Sequence, residues 1–104
     1  MGTSRRNLTP LLEAGFETRY FEIAGGGHTS CEKHEHEHCV MVLRGTGEVF
    51  LDKEWHTLNF GDLVRVPSLI PHQFRNDGNE PFGILCIVDR DRDRPVLIEP
   101  EDIV

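Results

Sequence analysis

The stretch Gly26-Gly27-His28-Thr29-Ser30-Cys31-Glu32-Lys33-His34-Glu35-His36-Glu37-His38-Cys39-Val40-Met41-Val42-Leu43-Arg44-Gly45 decides how this chain is read. Its middle, Cys31 to His38, holds three of the six histidines, interleaved with glutamates. Imidazole nitrogens and a carboxylate suit divalent iron, manganese, nickel, copper or zinc. Taken alone, the tract reads equally well as a solvated surface strand that picks up metal incidentally. The run that follows, Cys39 to Leu43, is continuously apolar and predicts a strand covered on both faces. Gly45-Thr46-Gly47 then ends it.

Strand geometry constrains the tract further. In one straight strand Glu32 to His38 would span roughly 20 Å at ~3.3 Å per residue, too far for a single ion to collect ligands. Shared coordination therefore requires a bend between His34 and His38, and such a bend breaks the two-residue period and frees His36 to point elsewhere. A group distant in sequence would have to complete the site. His72, behind Pro71 at the start of an extended segment, is the candidate, although its position alone also suits an ordinary strand residue.

Working outward, the chain reads as short extended segments separated by turn chemistry. Arg19 to Ala24 alternates and stops at Gly25-Gly26-Gly27. Glu48 to Leu51 and Glu54 to Leu58 flank Asp52-Lys53 as a hairpin. Leu63 to Val66 follows the turn Asn59-Phe60-Gly61-Asp62 and stops at Pro67. His72 to Arg75 leads into Asn76-Asp77-Gly78-Asn79, and Phe82 to Val88 is the last long apolar run. Only Leu8 to Phe16 has helical spacing. Many short strands with Gly and Pro turns predict an all-β sandwich or barrel.

A chain of 104 residues fits one domain, with residues 1–19 and 94–104 as terminal arms. A formal net charge of −7 argues against nucleic acid or an anionic membrane as partner, since both reward a basic face. No window approaches a membrane span and no signal-peptide layout opens the chain. Cys31, Cys39 and Cys86, at no zinc-like spacing, fit free thiols, so a cytoplasmic location is expected.

At two places the residues resemble the small single-domain cupins. The first motif of that family runs Gly, five residues, His-x-His, three or four residues, Glu, six residues, Gly. Gly26, Glu32-x-His34, His38 and Gly45 fall into that frame, with the first histidine and the glutamate exchanged. The second motif runs Gly, five residues, Pro-x-Gly, two residues, His, three residues, Asn. Gly61, Pro67-x-Leu69, His72 and Asn76 match it, with Leu69 in place of a turn glycine. Residues 26–45 and 61–76 carry these motifs.

The resemblance implies a double-stranded β-helix, a jelly-roll barrel with one divalent ion per chain near an open end. By motif position it implies Glu32, His34, His38 and His72 as ligands. Four protein ligands leave an octahedral ion two open positions, whereas zinc would be nearly filled as a tetrahedral site. By strand parity Val40, Val42 and Phe74 face the interior and shape a pocket, with Cys86 beside them if even positions of its run face inward. His36, in this register, lies off the metal on the bend, as a surface residue. His28 is expected as an exposed turn residue, Trp55 and His56 as surface or interface, and Asp89 to Arg94 as a solvated exit. The outer residues Cys39, Met41 and Leu43 ask for a cover, either a second subunit or the terminal arms; a homodimer is expected. The function implied is a metal-dependent enzyme on a small molecule (dioxygenase-like, or an isomerase or lyase). The alternative is a non-catalytic metal or small-ligand binding or sensing module.

Overall fold

The computed structural model describes residues 2–9 and 15–98. Among them there is no helix; ten strands form two antiparallel five-stranded sheets of a jelly roll. The first sheet comprises β1 (Thr3–Asn7), β2 (Phe16–Ile23), β4 (His38–Arg44), β7 (Leu63–Val66) and β9 (Phe82–Asp89), in the order β1-β2-β9-β4-β7. The second comprises β3 (Glu32–Lys33), β5 (Gly47–Leu51), β6 (Glu54–Leu58), β8 (His72–Arg75) and β10 (Val96–Leu97), in the order β10-β3-β8-β5-β6. The barrel is not closed by a continuous ladder of hydrogen bonds.

The inner faces of the sheets meet in a core that includes Ile23, Val40, Val42, Val49, Val66, Phe74, Phe82 and Ile84. In β4 the alternation is strict: His38, Val40 and Val42 are buried while Cys39, Met41 and Leu43 are exposed. The expected cover on both faces is therefore absent among the described residues. Ile87 of β9 and Leu63 of β7 extend the open apolar face on either side of β4.

Two strands lie where terminal arms were expected. β1 pairs along β2 from Thr3↔Ile23 to Asn7↔Arg19, and β10 pairs with β3. Each occupies a sheet edge, where its backbone hydrogen-bonds to the neighbouring strand, rather than folding over β4. The helical spacing at Leu8 to Phe16 falls largely on residues 10–14, outside the described residues, and Phe16 itself opens β2.

The turns explain the motif glycines. Gly26, Gly45 and Gly61 have φ of 80°, 69° and 87°, the left-handed region that only glycine enters freely. Leu69, where a fourth glycine would stand, holds the same conformation at φ 62°. A side chain there costs about 1–2 kcal/mol, and the strain sits beside a useful contact: the Leu69 amide donates to the His34 carbonyl at 2.7 Å. Asp52 and Lys53, both at positive φ, form the tight turn that matches the twist of β5 and β6. Asn76 is sealed at the end of β8. Its Nδ2 donates to the carbonyls of Ile23 and Glu80, and its Oδ1 accepts from the Gly78 amide.

Candidate metal centre

Three elements bring three imidazoles together. His38 is the first residue of β4 in one sheet and His72 the first of β8 in the other. His34 sits just past β3, where the chain bends at Glu35-His36. The bend lets a histidine four residues from His38 share its site, which a straight strand would forbid. One nitrogen from each of His34, His38 and His72 lies within 4.8 Å of the others. The ring centroids form a nearly equilateral triangle with sides of 5.0, 4.7 and 5.2 Å. All three residues are buried, at 3%, 9% and 3% exposure.

The hydrogen bonds orient the rings. Nδ1 of His34 faces the His36 carbonyl at 2.7 Å, and Nδ1 of His72 faces the Ile70 carbonyl at 2.9 Å. A carbonyl only accepts, so each Nδ1 carries the proton and each Nε2 keeps its lone pair. His38 has Nδ1 2.9 Å from the Cys86 sulfur, while its Nε2 is fully buried with no partner. An unsatisfied buried nitrogen costs about 1–3 kcal/mol, and a cation is the partner that three converging lone pairs would suit. The donor set thus fits a divalent ion.

Electrostatics point the same way. Burial, then the neighbouring His72 and His34 rings, push the His38 imidazole down to about 3. Burial also lowers His34 and His72. The trio stays neutral at physiological pH, the form in which imidazole ligates.

Glu32 lies outside the trio. It faces His72 across the β3–β8 ladder and lines the same cavity, and its carboxylate accepts from the Ser30 hydroxyl at 3.0 Å. His36 is also outside the trio, on the bend, but it is not a surface residue. Its side chain is 7% exposed and stacks on His34 at 3.7 Å with the planes 9° apart. Asp93 holds it at 2.7 Å and also accepts the amides of Glu35 and His36. Those bonds keep the Asp93 carboxyl well below the usual range. Asp93 lies in the charged run expected as a solvated exit, yet it clamps the histidine-bearing bend from 57 residues away. Nothing local in the charged run Asp89 to Arg94 marks it.

A cavity of about 460 Å³ opens beside the trio. Val40, Phe74 and Cys86 line it, but Val42 does not. Val42 shares their inward parity yet lies a further step along β4, opposite Ile84, where it is wholly enclosed in the core. The cavity wall also includes Arg5 and Arg19, which sequence reasoning passed over. His28 is exposed and bridges to Arg75, whose guanidinium stacks on Trp55 at 3.7 Å. His56 is exposed. The three cysteines are free thiols. Among the described residues no helix is long and apolar enough to cross a membrane.

Comparison with known proteins places this geometry. Residues 19–88 match the cupin domain family. A curated relative, 1-methylthio-D-xylulose 5-phosphate methylsulfurylase of Rhodospirillum rubrum, is 40% identical over 87 residues, covering 84% of this chain. The chain spans only 56% of that protein's length. The HTH-type transcriptional regulator SutR of Escherichia coli is 35% identical over 68 residues, 62% of this chain and 38% of the regulator. Among solved structures, a cupin 2 domain-containing protein of Halorhodospira halophila superposes with a TM-score of 0.90 at 45% identity, over 97% of this chain and 73% of that one.

Proposed function

The chain belongs to the cupin family, and on that premise we propose that it holds one divalent ion per chain and uses it to act on a small molecule. His34, His38 and His72 would be the ligands, with Glu32 as the fourth. The observation that carries this reading is the convergence of three buried imidazoles, one with a buried Nε2 that has no partner. Glu32 would join by exchanging its bond to Ser30 for the ion, from a position already facing His72. When bound, a divalent ion supplies Lewis-acid polarisation of a substrate oxygen. The protein's part is to orient it: the carbonyls of His36 and Ile70 set the tautomers of His34 and His72, and Asp93 fixes the bend. Val40, Phe74 and Ile84 give the cavity apolar walls against which a carbon skeleton would rest. The reaction class within this reading is dioxygenase-like, isomerase or lyase, and the curated methylsulfurylase relative supports catalysis on a small molecule.

A second reading, a non-catalytic sensing module, is favoured by the regulator relative, 38% of whose length matches this chain. Water relaxation of the manganese-loaded protein separates the two. Exchangeable water on the ion, displaced by a bound small molecule, is expected for the enzyme. Slow relaxation, matching a saturated coordination shell, would favour the module and count against open positions for substrate.

The open face bearing Met41 and Leu43 supports a homodimer, and three free thiols suit a reducing cytoplasm. Met41→Asp is expected to turn the dimer into monomer without changing metal stoichiometry. Light scattering showing a monomeric wild-type chain at micromolar concentration would sink the dimer.

A further inference from the structure

The cavity beside the histidine trio has a second, differently charged wall. In the β1–β2 ladder Arg5 is opposite Phe21, and Phe21 is two residues from Arg19 on the same face of β2. Opposed residues of an antiparallel pair share a face, so Arg5, Phe21 and Arg19 all turn inward, and all three line the cavity. The Arg19 guanidinium lies over the Phe21 ring at 5.2 Å and its Nη2 donates to the Cys86 sulfur at 3.4 Å. Its Nε is sealed from solvent and bonded to nothing.

Ion pairing divides the arginines, and position in the cavity sets Arg5 and Arg19 apart from Arg6, Arg90 and Arg94, which also lack a carboxylate partner among the described residues but do not line it. Arg44 pairs with Glu22, Arg65 with Glu37, Arg75 with Glu48 and Asp77, and Arg92, which also lines the cavity, with Glu17. Among the described residues neither Arg5 nor Arg19 forms an ion pair, in a chain whose net charge is −7. Of the three arginines that line the cavity, Arg92 is held by Glu17, and Arg5 and Arg19 are the two without a carboxylate partner among the described residues.

We propose that Arg5 and Arg19 form an anion subsite for a phosphate monoester, holding the charged tail of the molecule whose other end reaches the histidine trio. This rests on the reading of the cavity as a substrate site. Two guanidiniums match a dianion in charge, and their forked donors match phosphate oxygens in geometry. A single carboxylate would leave one cation unbalanced. The subsite is two contacts from the trio: Arg19 Nη2 to Cys86 sulfur at 3.4 Å, then Cys86 sulfur to His38 Nδ1 at 2.9 Å. The substrate class is therefore a small phosphorylated molecule with a short carbon chain and an oxygen function at its far end.

The test titrates inorganic phosphate into the full chain, metal-free and metal-loaded, by calorimetry. Saturable binding is expected in both forms. Arg19→Gln should weaken it by about tenfold and Arg5→Gln by a smaller factor, while Arg19→Lys keeps part of the affinity. Arg65→Gln, on the outer face, should bind as wild type. Arg5 sits on an exposed edge strand, so Arg5→Gln keeps the test informative if Arg19→Gln does not fold. Phosphate binding equal to wild type in both variants overturns the subsite, as does no binding to the wild-type chain. Binding that appears only with metal and ignores both arginines places the anion on the ion and likewise overturns it. A chain that binds no metal but loses phosphate in the arginine variants keeps the subsite and fails the metal reading alone.

Discussion

His38→Ala is expected to empty the metal site: ion content per chain, measured on protein purified and dialysed under neutral conditions, should fall from near one to near zero. His38 is the ring that ties the β4 side of the fold to the trio, and its buried Nε2 has no other partner. Losing a ligand of this kind should cost several kcal/mol of binding. His72→Ala should behave alike, since it is the trio's contribution from the second sheet. Glu32→Gln should weaken binding without emptying the site, because it removes the negative charge proposed to balance the ion but leaves the three imidazoles in place. Unchanged affinity would leave the histidines alone as the ligand set. His36→Ala is the informative contrast. It should retain full stoichiometry yet lose about 1–2 kcal/mol of stability, because the part-buried Asp93 contact and the stack on His34 go with it. An empty site in His36→Ala with a full one in His38→Ala would overturn the assignment.

Removing the ion should lower the melting temperature of the wild-type protein by about 10–30 °C, the shift for a ligand held at about 100–1,000 times its Kd in a domain of this size. Acid should deepen the loss. Unfolded histidines take up protons near pH ~6.5, whereas burial holds His34 and His72 lower and His38 at about 3. Below pH ~6.5 the unfolded chain therefore binds more protons than the folded one, and stability present at neutral pH declines as pH falls toward the folded values. For the metal-free chain His38 alone should contribute a decline of ~1.4 kcal/mol per pH unit below ~6.5, about 2 kcal/mol by pH ~5, with the rest of its shift lost only as pH falls toward about 3. The loaded chain should resist until protons displace the ion, then fall more steeply. Thermal melts with and without chelator between pH ~7 and ~5 read both effects. Curves that ignore chelator and pH alike would contradict a neutral, metal-holding trio.

Much of the fold was legible because its signals are local. The hairpin at Asp52-Lys53, the strands Leu63–Val66 and His72–Arg75, and the stop at Gly45 all follow from alternation and turn chemistry over a few residues. The edge strands β1 and β10 were not, because Thr3–Asn7 is polar and exposed throughout and Val96–Leu97 is only two residues long. Their extended form is imposed by the partner strand, not by their own pattern.

Beyond the jelly roll that the motif resemblance implied, the sequence by itself determined an all-β fold of short strands and the need for a bend between His34 and His38. Both depend on short-range periodicity and on how far a strand reaches per residue. Only the tertiary structure decided which groups meet. It set Glu32 beside the trio rather than in it, buried His36 against Asp93, kept Val42 out of the cavity, and aimed Arg5 and Arg19 into it. Those outcomes depend on the crossing of two sheets and on which partner lies across a ladder. The distance between residues far apart in the chain is fixed by packing, and no local pattern of side chains carries it.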